Sequence, residues 1–205
     1  MGKSSVKKVF LFSVLILILG TGGFFLWKTN QETPPEKWTE ARMSIAEDFI
    51  INEIPEGKMV ENKKAGISFK IPARWIIKEN PSSFYSPDTK LNEKRSDVLE
   101  QGCKINIDIN YIKTNIDTLE RIRRENISKL SSVASNEEFK KTEIKNFSAL
   151  IYSFEVENLK TSYNWVDIPL KNRIYTILLT SPTKEEERCQ LEFNKFLESI
   201  SINPK

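Results

Sequence analysis

The chain has 205 residues, room for one ordinary domain with accessory segments. Lys and Arg number 31 against 28 Asp and Glu, and since Lys3, Lys7 and Lys8 precede every acidic residue, the chain from Val9 onward is formally neutral. Nucleic-acid binding needs a basic surface that displaces counterions, which this balance does not supply, and the absence of histidine removes Ser-His-Asp and Cys-His nucleophilic sites, His-ligated zinc and imidazole pH switching.

Val9 to Trp27 is uncharged and as a helix spans ~28 Å, close to the hydrocarbon thickness of a bilayer. Three lysines precede it, and the charges after it (Lys28, Glu32, Glu36, Lys37) balance. The positive-inside rule then predicts a single-pass protein of the cell membrane. Residues 1–8 form a cytoplasmic tail, 9–27 the anchor, and the remainder lies outside the cytoplasm. The alternative is a cleaved signal peptide with Gly20-Thr21-Gly22 at its end. Against it, Phe24-Phe25-Leu26-Trp27 carry the apolar run past those small residues.

Residues 28–61 read as a linker and a juxtamembrane amphipathic helix. Thr33 would be its N-cap, Pro34 its first residue and Glu36 the partner in a capping box, with Trp38, Ala41, Ile45 and Phe49 on one stripe. Pro55 and Gly57 would end it. A domain over residues 62–205 follows.

Its opening alternates Ile67, Phe69 and Ile71 with Ser68 and Lys70, a strand ending at Pro72. Trp75 to Lys78 continues as a second strand and Phe84-Tyr85 as a short third. Thr89 to Gln101 is rich in charge, with Leu91, Val98 and Leu99 its apolar residues. It reads as a long mobile loop, either a neutral insertion or a segment that orders on a partner through Val98 and Leu99. Cys103 to Ile112 is a clear strand, with Ile105, Ile107 and Ile109 on one face and Asn106, Asp108 and Asn110 on the other, solvent-side face. Asp117 is expected to cap the next helix, with Leu119, Ile122, Ile127 and Leu130 as its buried stripe. Arg121, Arg123 and Arg124, flanked by Glu120 and Glu125, read as a solvated helix face.

Phe139 to Ile144 pairs with Phe147 to Val156, and Tyr163 to Ile168 with Ile174 to Thr180. The run Ile174 to Leu179 is apolar on both sides, as in a central strand. Thr183 and Glu186 make a capping box for a last helix, whose Cys189, Phe193, Phe196, Leu197 and Ile200 share one face. Cys103 and Cys189 are the only cysteines. They form either a disulfide across a helix–sheet interface, plausible in an oxidising compartment, or two separate buried thiols.

No Gly-rich phosphate loop, CxxC pair or GxSxG elbow occurs, and no cofactor, metal ligand set or catalytic residue is assigned. Alternate strand residues stand ~6.8 Å apart, too far for Asn106, Asp108 and Asn110 alone to share one small ion. Trp75 and Trp165 sit in strand patterns and read as core residues rather than a stacking platform.

Three features together resemble the PsbP-like domain of the Mog1/PsbP sandwich family over about Asn62 to Ile202. They are Gly66-Ile67-Ser68-Phe69-Lys70-Ile71-Pro72 leading to Trp75, the strand Cys103 to Ile112 with its following helix, and Cys189 with Phe193-Asn194-Lys195-Phe196-Leu197-Glu198-Ser199-Ile200 at the close. The resemblance implies an α+β fold, a mainly antiparallel sheet flanked by helices, serving as a docking or accessory module. The expected function is therefore a membrane-anchored extracytoplasmic module that docks a protein or cell-envelope component without catalysis. The alternative is a small extracytoplasmic hydrolase using paired carboxylates.

Overall fold

The computed structural model describes residues 42–77, 81–130 and 134–203. Both the predicted anchor over 9–27 and the start of the predicted juxtamembrane helix lie outside these residues. No helix among the described residues is long and apolar enough to cross a membrane.

The strands are β1 (Arg42–Met43), β2 (Ile50–Ile54), β3 (Gly57–Asn62), β4 (Ile67–Pro72), β5 (Ile76–Ile77), β6 (Ser83–Tyr85), β7 (Lys90–Leu91), β8 (Leu99–Gln101) and β9 (Lys104–Tyr111). Helix α1 (Ile116–Ser128) follows, then β10 (Ala134–Ile144), β11 (Phe147–Val156), β12 (Thr161–Leu170) and β13 (Arg173–Pro182). Helix α2 (Glu186–Ser199) and β14 (Ser201–Ile202) close the chain. The main sheet runs β10-β11-β12-β13-β9-β6-β5, with β1 also paired to β9; a second sheet runs β14-β4-β3-β2, and β7 and β8 form a separate hairpin. All pairings are antiparallel. The protein is thus a mainly antiparallel α+β fold.

Period-two side-chain alternation gives the main sheet two faces of different character. One face carries Ile105, Ile107 and Ile109 from β9, Tyr175, Ile177 and Leu179 from β13, and Val166 and Ile168 from β12. These pack against Val60, Ile67, Phe69 and Ile71 of the second sheet and Phe193 and Phe196 of α2, in one buried cluster. Phe69, Phe84 and Phe196 meet within it at ring-centroid distances of 5.3 to 6.4 Å. Trp75 is a core residue at 6% exposure.

Hairpin chemistry matches the strand pairs. Lys145 and Asn146, between β10 and β11, both have positive φ (52° and 66°), the conformation of a two-residue turn that matches strand twist.

Three expectations are corrected. First, residues 42–54 are not helical. They form β1, a short 3-10 turn (Ala46–Asp48) and β2, which turns through Pro55 and Glu56 into β3. The stripe that suggested a helix splits, since Phe49 is buried at 8% exposure and Ile45 is 60% exposed. β-branched Ile50, Ile51 and Ile54 suit an extended chain. Gly57 starts β3 at φ +143°, where an added Cβ would stand 2.2 Å from the Ile71 carbonyl oxygen. β3 pairs with β4 along its whole length, so residues before Asn62 belong to the described fold.

Second, Asn115 rather than Asp117 caps α1, its Oδ1 accepting from the Thr118 amide at 2.8 Å. Of the predicted stripe, Leu119 and Ile127 are buried and Leu130 is 44% exposed. Third, Thr183 opens a 3-10 turn (Thr183–Glu185) ahead of α2 and makes no helix cap.

Candidate docking groove

Thr89 to Gln101, expected as a mobile loop, is a folded hairpin. Lys90 pairs with Gln101 and Leu91 with Leu99. Asn92 holds the turn together: its Oδ1 accepts from the Lys94 and Arg95 amides (3.0 and 2.9 Å), and its Nδ2 donates to Glu100 Oε1 at 2.8 Å. The Asn92 amide donates to the Val98 carbonyl at 2.9 Å. Such side-chain bonds to nearby backbone are what Asn offers a turn. The sequence signal was present in Asn92 itself, but a charge-rich window hides it.

The hairpin is also fastened at its base. Gly102 has φ +89°, and an added Cβ would stand 2.6 Å from both Cα and Oγ1 of Thr89. Its amide donates to Glu185 Oε2 at 3.2 Å. The adjoining Cys103 is bonded to Cys189 of α2, with Cα atoms 5.6 Å apart and both residues fully buried. Arg188 of α2 binds Asp88 at 3.0 Å and also Glu185. The Ser86 hydroxyl, 2.6 Å from Asp88, is the largest cause holding the Asp88 carboxyl below its usual range, and Arg188 adds to it.

Anchored this way, the hairpin forms one wall of a groove of about 840 Å³ against the β11–β12 connection and the 3-10 turn ahead of α2. Val98, Leu99, Leu159 and Pro182 give it apolar surface; Lys160 and Lys184 stand with Glu100, Glu155 and Glu157 around them. Leu99 is 3% exposed and belongs to the core, while Val98 is half-buried. A second groove of about 900 Å³ shares Glu155, Thr183 and Lys184 with the first and is lined by Glu137, Glu138, Glu186 and Glu187. Glu186 is held there by Ser162 Oγ and Asn164 Nδ2 at 3.2 and 3.1 Å.

The other face of the main sheet carries a polar centre that the sequence did not reveal. The segment read as a solvated arginine face points Arg123 inward. Its Nε and Nη2 donate to Asp167 Oδ2 and Oδ1 at 2.8 and 3.2 Å, and Thr176 Oγ1 donates to Asp167 Oδ1 at 2.6 Å. Asp167 is fully buried. Around it Phe139, Tyr152 and Trp165 stack across three strands at 5.4 and 5.6 Å, with Arg124 4.0 Å over Phe139. Burial first, then the Asp167 charge, pushes the Tyr152 phenol up.

The row Asn106, Asp108, Asn110 lies on this face and is half-buried rather than solvent-exposed. Burial raises the Asp108 carboxyl against the opposing pull of Lys104 and Arg123. Asp108 and Asp167 flank Thr176 in register, which sets them ~9.6 Å apart. Both Asp167 oxygens are taken by Arg123 and Thr176, so the centre works as a bolt between α1 and the sheet. Among the described residues no cluster of acidic or cysteine side chains can hold a metal ion.

No family profile and no curated protein matches the chain. Among solved structures, cyanobacterial PsbP (CyanoP) from Synechocystis sp. PCC 6803 is similar at 14% identity and TM-score 0.44, over 78% of this chain and 95% of that one. LpqN of Mycobacterium tuberculosis, described as involved in cell envelope biogenesis, is similar at 13% identity and TM-score 0.44, over 80% and 92%. A protein of Bacteroides thetaiotaomicron VPI-5482 is similar at 15% identity and TM-score 0.41, over 73% of this chain and 50% of its own.

Proposed function

We propose that this protein is a membrane-anchored, extracytoplasmic docking module that seats a segment of a protein or cell-envelope partner in the groove beside the β7–β8 hairpin, without catalysis. The observation that carries this reading is the groove itself. Val98, Leu159 and Pro182 supply apolar contact, lysines and glutamates surround them, and the wall is pre-formed by the Asn92 turn and the anchored Gly102. A pre-formed wall lowers the ordering cost of binding. The extracytoplasmic placement is supported by the uncharged run Val9 to Trp27 behind three lysines and by the Cys103–Cys189 bond, since such bonds persist in oxidising compartments.

The test is a photo-cross-linking residue placed at position 98 of the full chain in its native membrane, with position 70 as an exposed control. A discrete adduct from 98, absent from 70 and lost on Leu159→Glu, is expected. Equal labelling at both positions, or none at 98, refutes the groove as the docking site. A reporter fused after Lys205 tests topology separately: activity inside the cytoplasm refutes the extracytoplasmic placement.

A further inference from the structure

Ion pairs are spread over the described fold, as in Lys58–Glu53, Lys64–Asp48, Lys141–Glu120 and Lys195–Glu192. Around the two grooves they stop. Glu100, Glu155 and Glu157 line the first groove, and Glu137, Glu138, Glu186 and Glu187 line the second. None of these seven glutamates is in an ion pair among the described residues. Lys160 and Lys184 are the lysines that stand with them. Both grooves are lined by described residues, and they join at Glu155, Thr183 and Lys184.

Glu186 and Glu187 open α2, where the helix dipole favours carboxylates. That reason does not extend to Glu137 and Glu138 of β10 or Glu155 of β11, which sheet pairing brings to the same place. The register also lines up a row of hydroxyls on this side of the sheet. Ser135, Glu155, Ser162 and Ser181 pair in turn across β10 to β13, so their side chains share one face. Ser162 reaches Glu186 at 3.2 Å. Ser135 Oγ and Ser181 Oγ are buried without a hydrogen-bond partner among the described residues, and Ser181 is fully buried. A buried hydroxyl left unpartnered is uncommon and calls for a group that satisfies it. A bound metal ion is not that group, since no cluster of described acidic side chains can hold one. A cation carried on a long side chain needs no such cluster, and its N–H groups donate to carboxylates and hydroxyls alike.

We propose that the segment seated in the groove is a basic stretch of a partner protein. One apolar side chain lies against Val98, Leu159 and Pro182, and lysine or arginine side chains follow over the glutamates of the adjoining groove. The proposal rests on the docking reading above and adds the partner's charge to it. Seven unpaired carboxylates around joined clefts set up a negative field that raises the local concentration of cations. They also repel one another in the free protein, and a basic segment relieves that repulsion. The same field disfavours polyanions, so neither an anionic lipid surface nor an acidic envelope polymer is the occupant. Complementarity of this kind acts on encounter rate and specificity more than on raw affinity, and it weakens with salt.

The test uses the full chain in detergent and a short fluorescent peptide, a leucine followed by alternating lysine and serine. Versions with glutamine or glutamate in place of lysine serve as comparisons. At low salt the lysine peptide should bind about ten-fold tighter than the glutamine peptide. That difference should vanish near ~1 M salt, where the screening length is about 3 Å. Glu138→Gln with Glu187→Gln, both exposed positions, should weaken the lysine peptide about five-fold, the effect of two surface charges, and leave the glutamine peptide unchanged. A lysine peptide that binds no tighter than the glutamine peptide, or is unaffected by the two substitutions, overturns the proposal. So does a preference for the glutamate peptide. The docking reading fails separately, through the absence of an adduct from position 98 whatever the charge of the peptide.

Discussion

Removing the Cys103–Cys189 bond is the sharpest test of how the domain is held together. The bond closes a loop of 86 residues in sequence separation. In the chain-entropy description such a closure restricts the unfolded chain by about 4–5 kcal/mol, a large share of the ~5–15 kcal/mol typical of a domain. The native state should survive the loss, because α2 also docks through Phe193 and Phe196, exposed by 1% and 4%. The double substitution Cys103→Ala and Cys189→Ala should therefore fold, with its guanidinium midpoint lowered by about 1 M for an m-value near 4 kcal/mol/M. Reduction of the parent protein should give a similar shift, and the oxidised parent should show no titratable thiol. An unchanged midpoint in both experiments would refute the reasoning, since the bond would then not constrain the unfolded chain.

Arg123→Ala strands a fully buried carboxylate at Asp167 and should destabilise by about 3–5 kcal/mol in chemical denaturation, whereas Arg123→Met with Asp167→Leu should recover most of the loss. Leu99→Ala should cost about 2–4 kcal/mol, and replacing Thr89 to Gln101 by a Gly-Ser linker should lower the melting temperature; breaking the exposed Arg95–Asp97 pair should cost under about 1 kcal/mol. Asp108 is raised by burial, so between its unfolded and folded pKa the native state holds the extra proton, and this group's contribution to stability falls as pH rises through that window. Asp108→Asn should accordingly raise the melting temperature at pH 7 and leave it unchanged at pH 3; a rise of equal size at both would contradict the burial cause.

Local pattern was enough wherever neighbours in sequence decide the burial. Ile67, Phe69 and Ile71 marked β4, Ile105, Ile107 and Ile109 marked β9, and the Cys189–Phe193–Phe196–Ile200 stripe marked α2, all of which the structure buries. Period two and period 3.6 are properties of the chain itself, readable without partners. The exchange of a helix for β1 and β2 had a different cause. Residues 42–54 carry a spacing that suits either state, and pairing with β3 and β9 settles it.

The same holds for the functional surfaces. The charge-rich segment after Thr89 looked unable to order because its gain comes from elsewhere: Leu99 buries and Gly102 fits against Thr89. Arg123 looked solvated among its neighbours because Asp167, its partner, lies 44 residues away. Composition and hydropathy alone set the histidine-free character of the chain, its neutrality from Val9 onward and the strand-rich pattern. The groove walls and the buried ion pair exist only once distant segments are packed, because each depends on groups that meet through space and leave no mark on local sequence.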